Sequence, residues 1–117
     1  MTGTIQDMAP AAVAQALDKR EIVLIDVREP AEYAAEHIHG ALLFPLSDFD
    51  PACLPASGRR IVLHCGSGKR SAMAVQRCLE AGVAVDTHMP GGIQAWKHLH
   101  LPVRRFDPAT GSVVERR

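Results

Sequence analysis

Apolar and polar positions along the chain fall into short blocks of two different periods. Asp7 reads as an N-cap ahead of an alanine-rich helix over Met8–Lys19, with Pro10 tolerated because it lies in the first turn. Val13, Ala16 and Leu17 share one face of that helix and are expected to pack inward. Ile22–Ile25 is a run of β-branched residues and leucine, as in a strand covered on both faces. Pro30 then opens a short helix, Ala31–Glu36, closed near Gly40. Ala41–Phe44 is a second short strand, stopped by Pro45. Leu46–Ser57, with Pro51 and Pro55, reads as a surface connection with one helical turn.

Ile61-Val62-Leu63 is a further apolar strand and runs directly into a loop holding Gly66 and Gly68. Ser71–Ala81 follows as a helix with Ala72, Val75 and Leu79 on one face and Gly82 as its stop. Val83–Met89 supplies one more strand, Gly91-Gly92 a turn, and Ile93–His98 a last short helix with Trp96 turned inward. Arg104–Arg117 is charged and interrupted by Pro108 and Gly111, which predicts a weakly structured tail. Strands alternating with helices over short connections predict one α/β domain, with its core at about 5–103, a mostly parallel central sheet and helices on both faces.

Composition narrows the function classes. With 47% hydrophobic and 22% charged residues in 117, disorder does not describe the chain. Thirteen basic residues balance thirteen acidic ones, so no global charge draws it onto nucleic acid or an anionic membrane. No apolar run reaches the roughly 18–20 residues a bilayer requires, and Met1–Pro10 lacks the basic and apolar regions of a leader peptide. Cys53, Cys65 and Cys78 contain no C-x-x-C pair. That argues against a disulfide scaffold or a zinc site, and for a reducing compartment, expected to be the cytoplasm. No metal or cofactor is expected. His37 and His39, like His98 and His100, are spaced i, i+2 and read as surface residues rather than ligands.

The chemistry concentrates in His64-Cys65-Gly66-Ser67-Gly68-Lys69-Arg70-Ser71. Here a cysteine ends a buried strand, two glycines free the backbone, and a helix begins. In open α/β sheets ligands bind at this edge, beyond the carboxyl ends of the strands. Gly66 and Gly68 let successive N–H groups turn inward as an anion nest, and the next helix adds unsatisfied donors. Lys69 and Arg70 add positive charge. Cys65 is therefore expected to be a thiolate nucleophile at neutral pH, with Gly66, Ser67, Gly68, Lys69, Arg70 and Ser71 forming the substrate cradle. Cys53 and Cys78 have no comparable setting and are expected to be inert, buried residues. His64 adjoins Cys65, but neighbouring side chains on a strand face opposite ways, which predicts a structural role. Trp96 and Phe44 are expected in the core, and Met73 and Arg77 carry no distinguishing signal.

Three groups of residues resemble the rhodanese (thiosulfate sulfurtransferase-like) domain family over about Ile22 to Val103. They are Asp26-Val27-Arg28-Glu29 with Glu32-Tyr33 and His37-Ile38-His39-Gly40-Ala41; the loop Cys65–Arg70 with Ser71; and Gly91-Gly92-Ile93 with Ala95-Trp96 and Leu101-Pro102-Val103. The resemblance implies a central parallel sheet and a catalytic cysteine that becomes a persulfide. It implies a sulfane donor such as thiosulfate and a thiophilic acceptor, cyanide or a thiol, with a protein donor or acceptor as a further option. It also implies that Asp26 and Arg28 form a supporting ion-pair network. From Cys65 through Arg70 the loop has the sulfurtransferase length, one residue shorter than in related phosphatases and arsenate reductases, where a tetrahedral oxyanion must fit. Gly66 departs from the arginine that many thiosulfate-using members carry after the cysteine. The alternatives are a persulfide carrier without turnover and, disfavoured by the loop, an oxyanion enzyme.

Overall fold

The computed structural model describes residues 3–117; Met1 and Thr2, which begin the segment considered as a leader, lie outside them. In chain order the elements are β1 (Gln6–Asp7), α1 (Pro10–Asp18), β2 (Ile22–Asp26), α2 (Pro30–Ala35), β3 (Glu36–His37) and β4 (Leu42–Leu43). Two single 3-10 turns follow, Leu46–Asp48 and Pro51–Cys53, and then β5 (Arg60–His64), α3 (Lys69–Glu80), β6 (Thr87–His88), α4 (Gly92–His98), β7 (Val103–Asp107) and β8 (Ser112–Arg116). Five strands form one parallel sheet in the order β1-β6-β5-β2-β4.

The sheet is covered on both faces, as its uninterrupted apolar strands require. On one side Leu24 and Val62 meet Val13 and Ala16 of α1 and Ile93 and Trp96 of α4. On the other, their strand neighbours Ile25 and Leu63 meet Ala74, Val75 and Cys78 of α3. The alternation along β2 and β5 thus decides which helix each residue reaches. It also decides that Cys65, in register with Leu63, belongs to the α3 side. The fold is α/β with a mostly parallel central sheet and helices on both faces. No helix among the described residues is long and apolar enough to cross a membrane.

Several local expectations are corrected. Asp7 is not an N-cap: it pairs with His88 in the β1–β6 ladder, and Ala9 caps α1 with Pro10 at the first position. The Val83–Met89 strand contracts to Thr87–His88, because Val85 donates its N–H back to the Val83 carbonyl in a turn. The buried face of α3 is Ser71, Ala74, Val75 and Cys78 rather than Ala72, Val75 and Leu79, a rotation by about one position. Arg104–Arg117 is not a weakly structured tail. It forms the β7–β8 hairpin, which joins β3 in a three-stranded antiparallel sheet. Gly111, with φ +72°, closes its turn, so the residue that suggested disorder is the one the hairpin needs.

Candidate active site

Strand β5 ends at His64, and the chain turns at once through residues 65–68 into α3. Gly68, at φ +102°, makes the reversal that places the first turn of α3 over the cysteine. A second glycine is required from the opposite side. A side chain at Gly92 would collide with the carbonyl oxygen of Cys65. Its absence lets α4 approach until Ile93 N–H donates to that oxygen at 2.8 Å and Gln94 N–H donates to the Gly66 oxygen at 3.1 Å. With two loop carbonyls held by α4, loop amides are free to face the sulfur.

Two of them do. Cys65 Sγ, fully buried, accepts from Gly68 N–H at 3.1 Å and from Ser71 N–H at 3.3 Å, and Ser71 Oγ lies 3.6 Å away. Convergent amide donors in a site of low dielectric favour a negative atom at their centre. Gly66 and Arg70 are partly exposed, while Ser67 and Lys69 are exposed at the mouth of the loop. The Arg70 guanidinium makes a bidentate pair with Glu32 of α2, at 2.7 and 3.0 Å. Hydrogen bonding to Glu32 raises the Arg70 pKa further, and the same contact holds the Glu32 carboxyl at about 2. Lys69 is therefore the cation of the loop whose charge is not matched by an ion pair among the described residues.

Asp26 and Arg28 form the network at the end of β2. Arg28 Nε and Nη2 donate to both Asp26 carboxylate oxygens at 2.9–3.2 Å, and Nη2 also donates to the Glu36 carbonyl. Both residues are buried. His64 lies on the Asp26 side, its Nε2 3.6 Å from Asp26 Oδ2 and its Nδ1 3.2 Å from the Cys65 carbonyl. Burial lowers its pKa, with Asp26 countering only in part.

Elsewhere, Cys78 is buried, and burial pushes its thiol up to about 11. Cys53 departs from expectation because it is exposed; Asp50, 3.6 Å from its sulfur, raises its pKa. His37 stacks on Tyr33 with centroids 4.0 Å apart and donates from Nδ1 to the Tyr33 carbonyl at 2.8 Å, while His39 is exposed. His98 ends α4 and His100 sits in a left-handed turn, so that pair does not share an extended strand. No group of metal-binding side chains occurs among the described residues. Trp96 is buried and donates to the Pro102 carbonyl, and Phe44 packs against Phe49.

Sequence reasoning missed His88 of β6. Its Nδ1 lies 2.8 Å from Ser71 Oγ and its Nε2 3.3 Å from Asp7 Oδ1. No spacing in the sequence signals this cluster, which joins β1, α3 and β6 across the sheet.

The chain is 39% identical over 116 residues to an uncharacterized protein of Synechocystis, covering 98% of this chain but 65% of that protein's length. It is 34% identical over 88 residues to a sulfurtransferase of Allochromatium vinosum, covering 74% of this chain and 81% of that protein. A rhodanese-related protein of Thermoplasma volcanium superposes with a TM-score of 0.72 at 26% identity, covering 84% of this chain and 96% of that one. The family model described as the rhodanese-like domain matches residues 9–99, which include the cysteine loop, the Asp26–Arg28 pair and the Gly91-Gly92 turn. On that match the chain belongs to the rhodanese-like domain family.

Proposed function

We propose that this protein is a sulfurtransferase that moves a sulfane sulfur from thiosulfate, or a related small-molecule donor, to a thiophilic acceptor through a persulfide on Cys65. The observation that carries the proposal is the pair of amide donors, Gly68 N–H and Ser71 N–H, converging on a buried Cys65 Sγ. The Cys65 thiolate attacks the outer sulfur of the donor. The new S–S bond forms as the donor's S–S bond breaks, and sulfite leaves with the electron pair. The persulfide carries its negative charge on the terminal sulfur, where the amide cradle and the Lys69 charge oppose its escape. An acceptor thiol or cyanide then attacks that terminal sulfur and regenerates the Cys65 thiolate, a ping-pong sequence.

Loop length favours this chemistry over that of an oxyanion enzyme. Only four residues separate Cys65 from Arg70, and both Arg70 terminal nitrogens are engaged by Glu32 rather than left to clasp three equatorial oxygens. The cysteines, none of them disulfide-bonded, suit a reducing compartment such as the cytoplasm. The test is incubation with thiosulfate followed by intact mass measurement. The parent should gain one sulfur atom and Cys65→Ala none; sulfur retained in that variant would refute the assignment. A loaded parent that releases no sulfite in repeated turnover with cyanide would instead mark it as a carrier fed by a partner protein.

A further inference from the structure

Asp7, His88, Ser71 and Cys65 form a continuous polar chain that runs from the surface to the reactive sulfur. Asp7 Oδ1 stands 3.3 Å from His88 Nε2, His88 Nδ1 2.8 Å from Ser71 Oγ, and Ser71 Oγ 3.6 Å from Cys65 Sγ. The Asp7 side chain is 69% exposed, whereas the His88 side chain is only 9% exposed and Ser71 is buried. The groups with charge or titration within reach of His88 are Asp7 on β1 and, through Ser71 on α3, Cys65 beyond β5.

The order of donors in this chain follows from what each atom can do. The Asp7 carboxylate, 3.3 Å from Nε2, favours the hydrogen on that nitrogen, and a neutral His88 then presents its Nδ1 lone pair to Ser71. The Ser71 hydroxyl can then donate to Nδ1 while its own lone pairs face Cys65 Sγ. The Gly68 carbonyl also competes for that hydrogen, at 3.2 Å against 2.8 Å for Nδ1.

We propose that Ser71 and His88 are a proton relay for Cys65, with Asp7 fixing the imidazole tautomer. The proposal rests on Cys65 being the nucleophile. As the Cys65 S–H bond breaks, its proton joins Ser71 Oγ and the original Ser71 hydrogen passes to His88 Nδ1. The products are a thiolate, a neutral serine whose hydroxyl now donates to Sγ, and an imidazolium between Ser71 and Asp7. One proton has moved, and no other reactant is needed. Ser71 touches the reacting sulfur; His88 and Asp7 act through it and are positioning residues. The relay gives Cys65 a proton acceptor that the buried His64, turned toward Asp26 on the other side of the sheet, does not supply.

The test is the rate at which iodoacetamide alkylates Cys65, followed by peptide mass across a range of pH, in the parent, His88→Asn, Ser71→Ala and the double variant. Asparagine keeps a hydrogen-bond partner at the Nδ1 position but cannot take up the proton. The expected result is an alkylation rate about tenfold lower than the parent at neutral pH, converging with it at alkaline pH where hydroxide removes the proton unaided. Ser71→Ala should lose as much, and the double variant no more than either single one. Asp7→Asn, at an exposed side chain that leaves the core intact, should slow the reaction at neutral pH by about two- to fivefold. Parent-like profiles in His88→Asn and Asp7→Asn, or a loss equal at every pH, would overturn the relay. Alkylation needs no sulfur donor, so a parent that cannot be loaded by thiosulfate would refute the sulfurtransferase reading without touching this result.

Discussion

Glu32 serves two neighbours with one carboxylate. Its Oε1 accepts the N–H of Glu29 at the start of α2 at 3.0 Å and Arg70 Nη1 at 2.7 Å, and its Oε2 accepts Arg70 Nη2. The Arg70 hydrogen bonds are the main reason its pKa is held at about 2, below the ordinary 4.5. A carboxyl depressed by folding contributes stability that is complete above about pH 4.5 and is lost as pH falls toward 2. Glu36 is also held low, because Lys97 and Arg105 outweigh its burial, so the parent loses stability from both groups in acid. Glu32→Gln should therefore flatten the fall of Tm across that window relative to the parent. Near neutral pH it should cost less than about 1 kcal/mol, because the pair is open to solvent. Parallel Tm curves below pH 4.5 would exclude this role. Residues that lie next to one another along the chain, such as Cys65 and the glycines after it, are legible as a candidate site in the amino-acid sequence. Glu32 with Arg70, 38 positions apart, and His88 with Ser71, 17 apart, are not. Their partnership exists only once the sheet order brings β6 beside β5 and α2 over the loop.

At the scale of elements, the sulfur cradle is an assembly of β5, the loop, α3 and α4, and Gly92 is where the last two constraints meet. Its φ is +57°, and any Cβ there would overlap the Cys65 carbonyl. The neighbour in that clash is backbone, which cannot rotate away, so α4 would have to withdraw and release the bonds to Cys65 and Gly66. Gly92→Ala is expected to cost about 3 kcal/mol or more and to abolish sulfur loading at Cys65. Gly58→Ala is the control. That glycine also has positive φ, +77°, but a Cβ there meets nothing within 4 Å. The cost should be near 1 kcal/mol with loading intact. Thermal unfolding and intact mass separate the two, and equal losses would show that dihedral strain, not close approach, accounts for Gly92. Strands β2 and β5 and helix α3 are legible from periodicity because burial repeats along them. The one-position rotation of α3 is not, because what turns Ser71 inward is the sulfur beneath it, not the apolar count of the helix.

Across the whole molecule, the two sheets have separate tasks. The parallel sheet brings Cys65, the Asp26–Arg28 pair and His88 to its carboxyl edge. The antiparallel β3-β7-β8 sheet adheres through Glu36 and His37, reinforced by Glu36 bridging Lys97 and Arg105. Farther along the hairpin, Glu115 lines a groove with Arg59 and Ile22, at the opposite end of β2 and β5 from the cysteine. The hairpin is invisible to sequence reading because Arg104–Arg117 is charged on both strands. Its cross-strand pair Phe106–Val113 stays 46% and 57% exposed, so no apolar period marks a buried side. Such a hairpin contributes through backbone pairing and cross-strand contacts more than through burial. Ending the chain after Arg105 keeps Val103 in the core and the Arg105–Glu36 pair, and removes the rest. The expected cost is about 1 kcal/mol, a fall in Tm of roughly 4–8 °C, with the rate of sulfur loading at Cys65 unchanged well below that Tm. A loading rate that collapsed while the truncated chain stayed folded would mean that the hairpin orders the cysteine loop from a distance, and that the division between the two sheets is false.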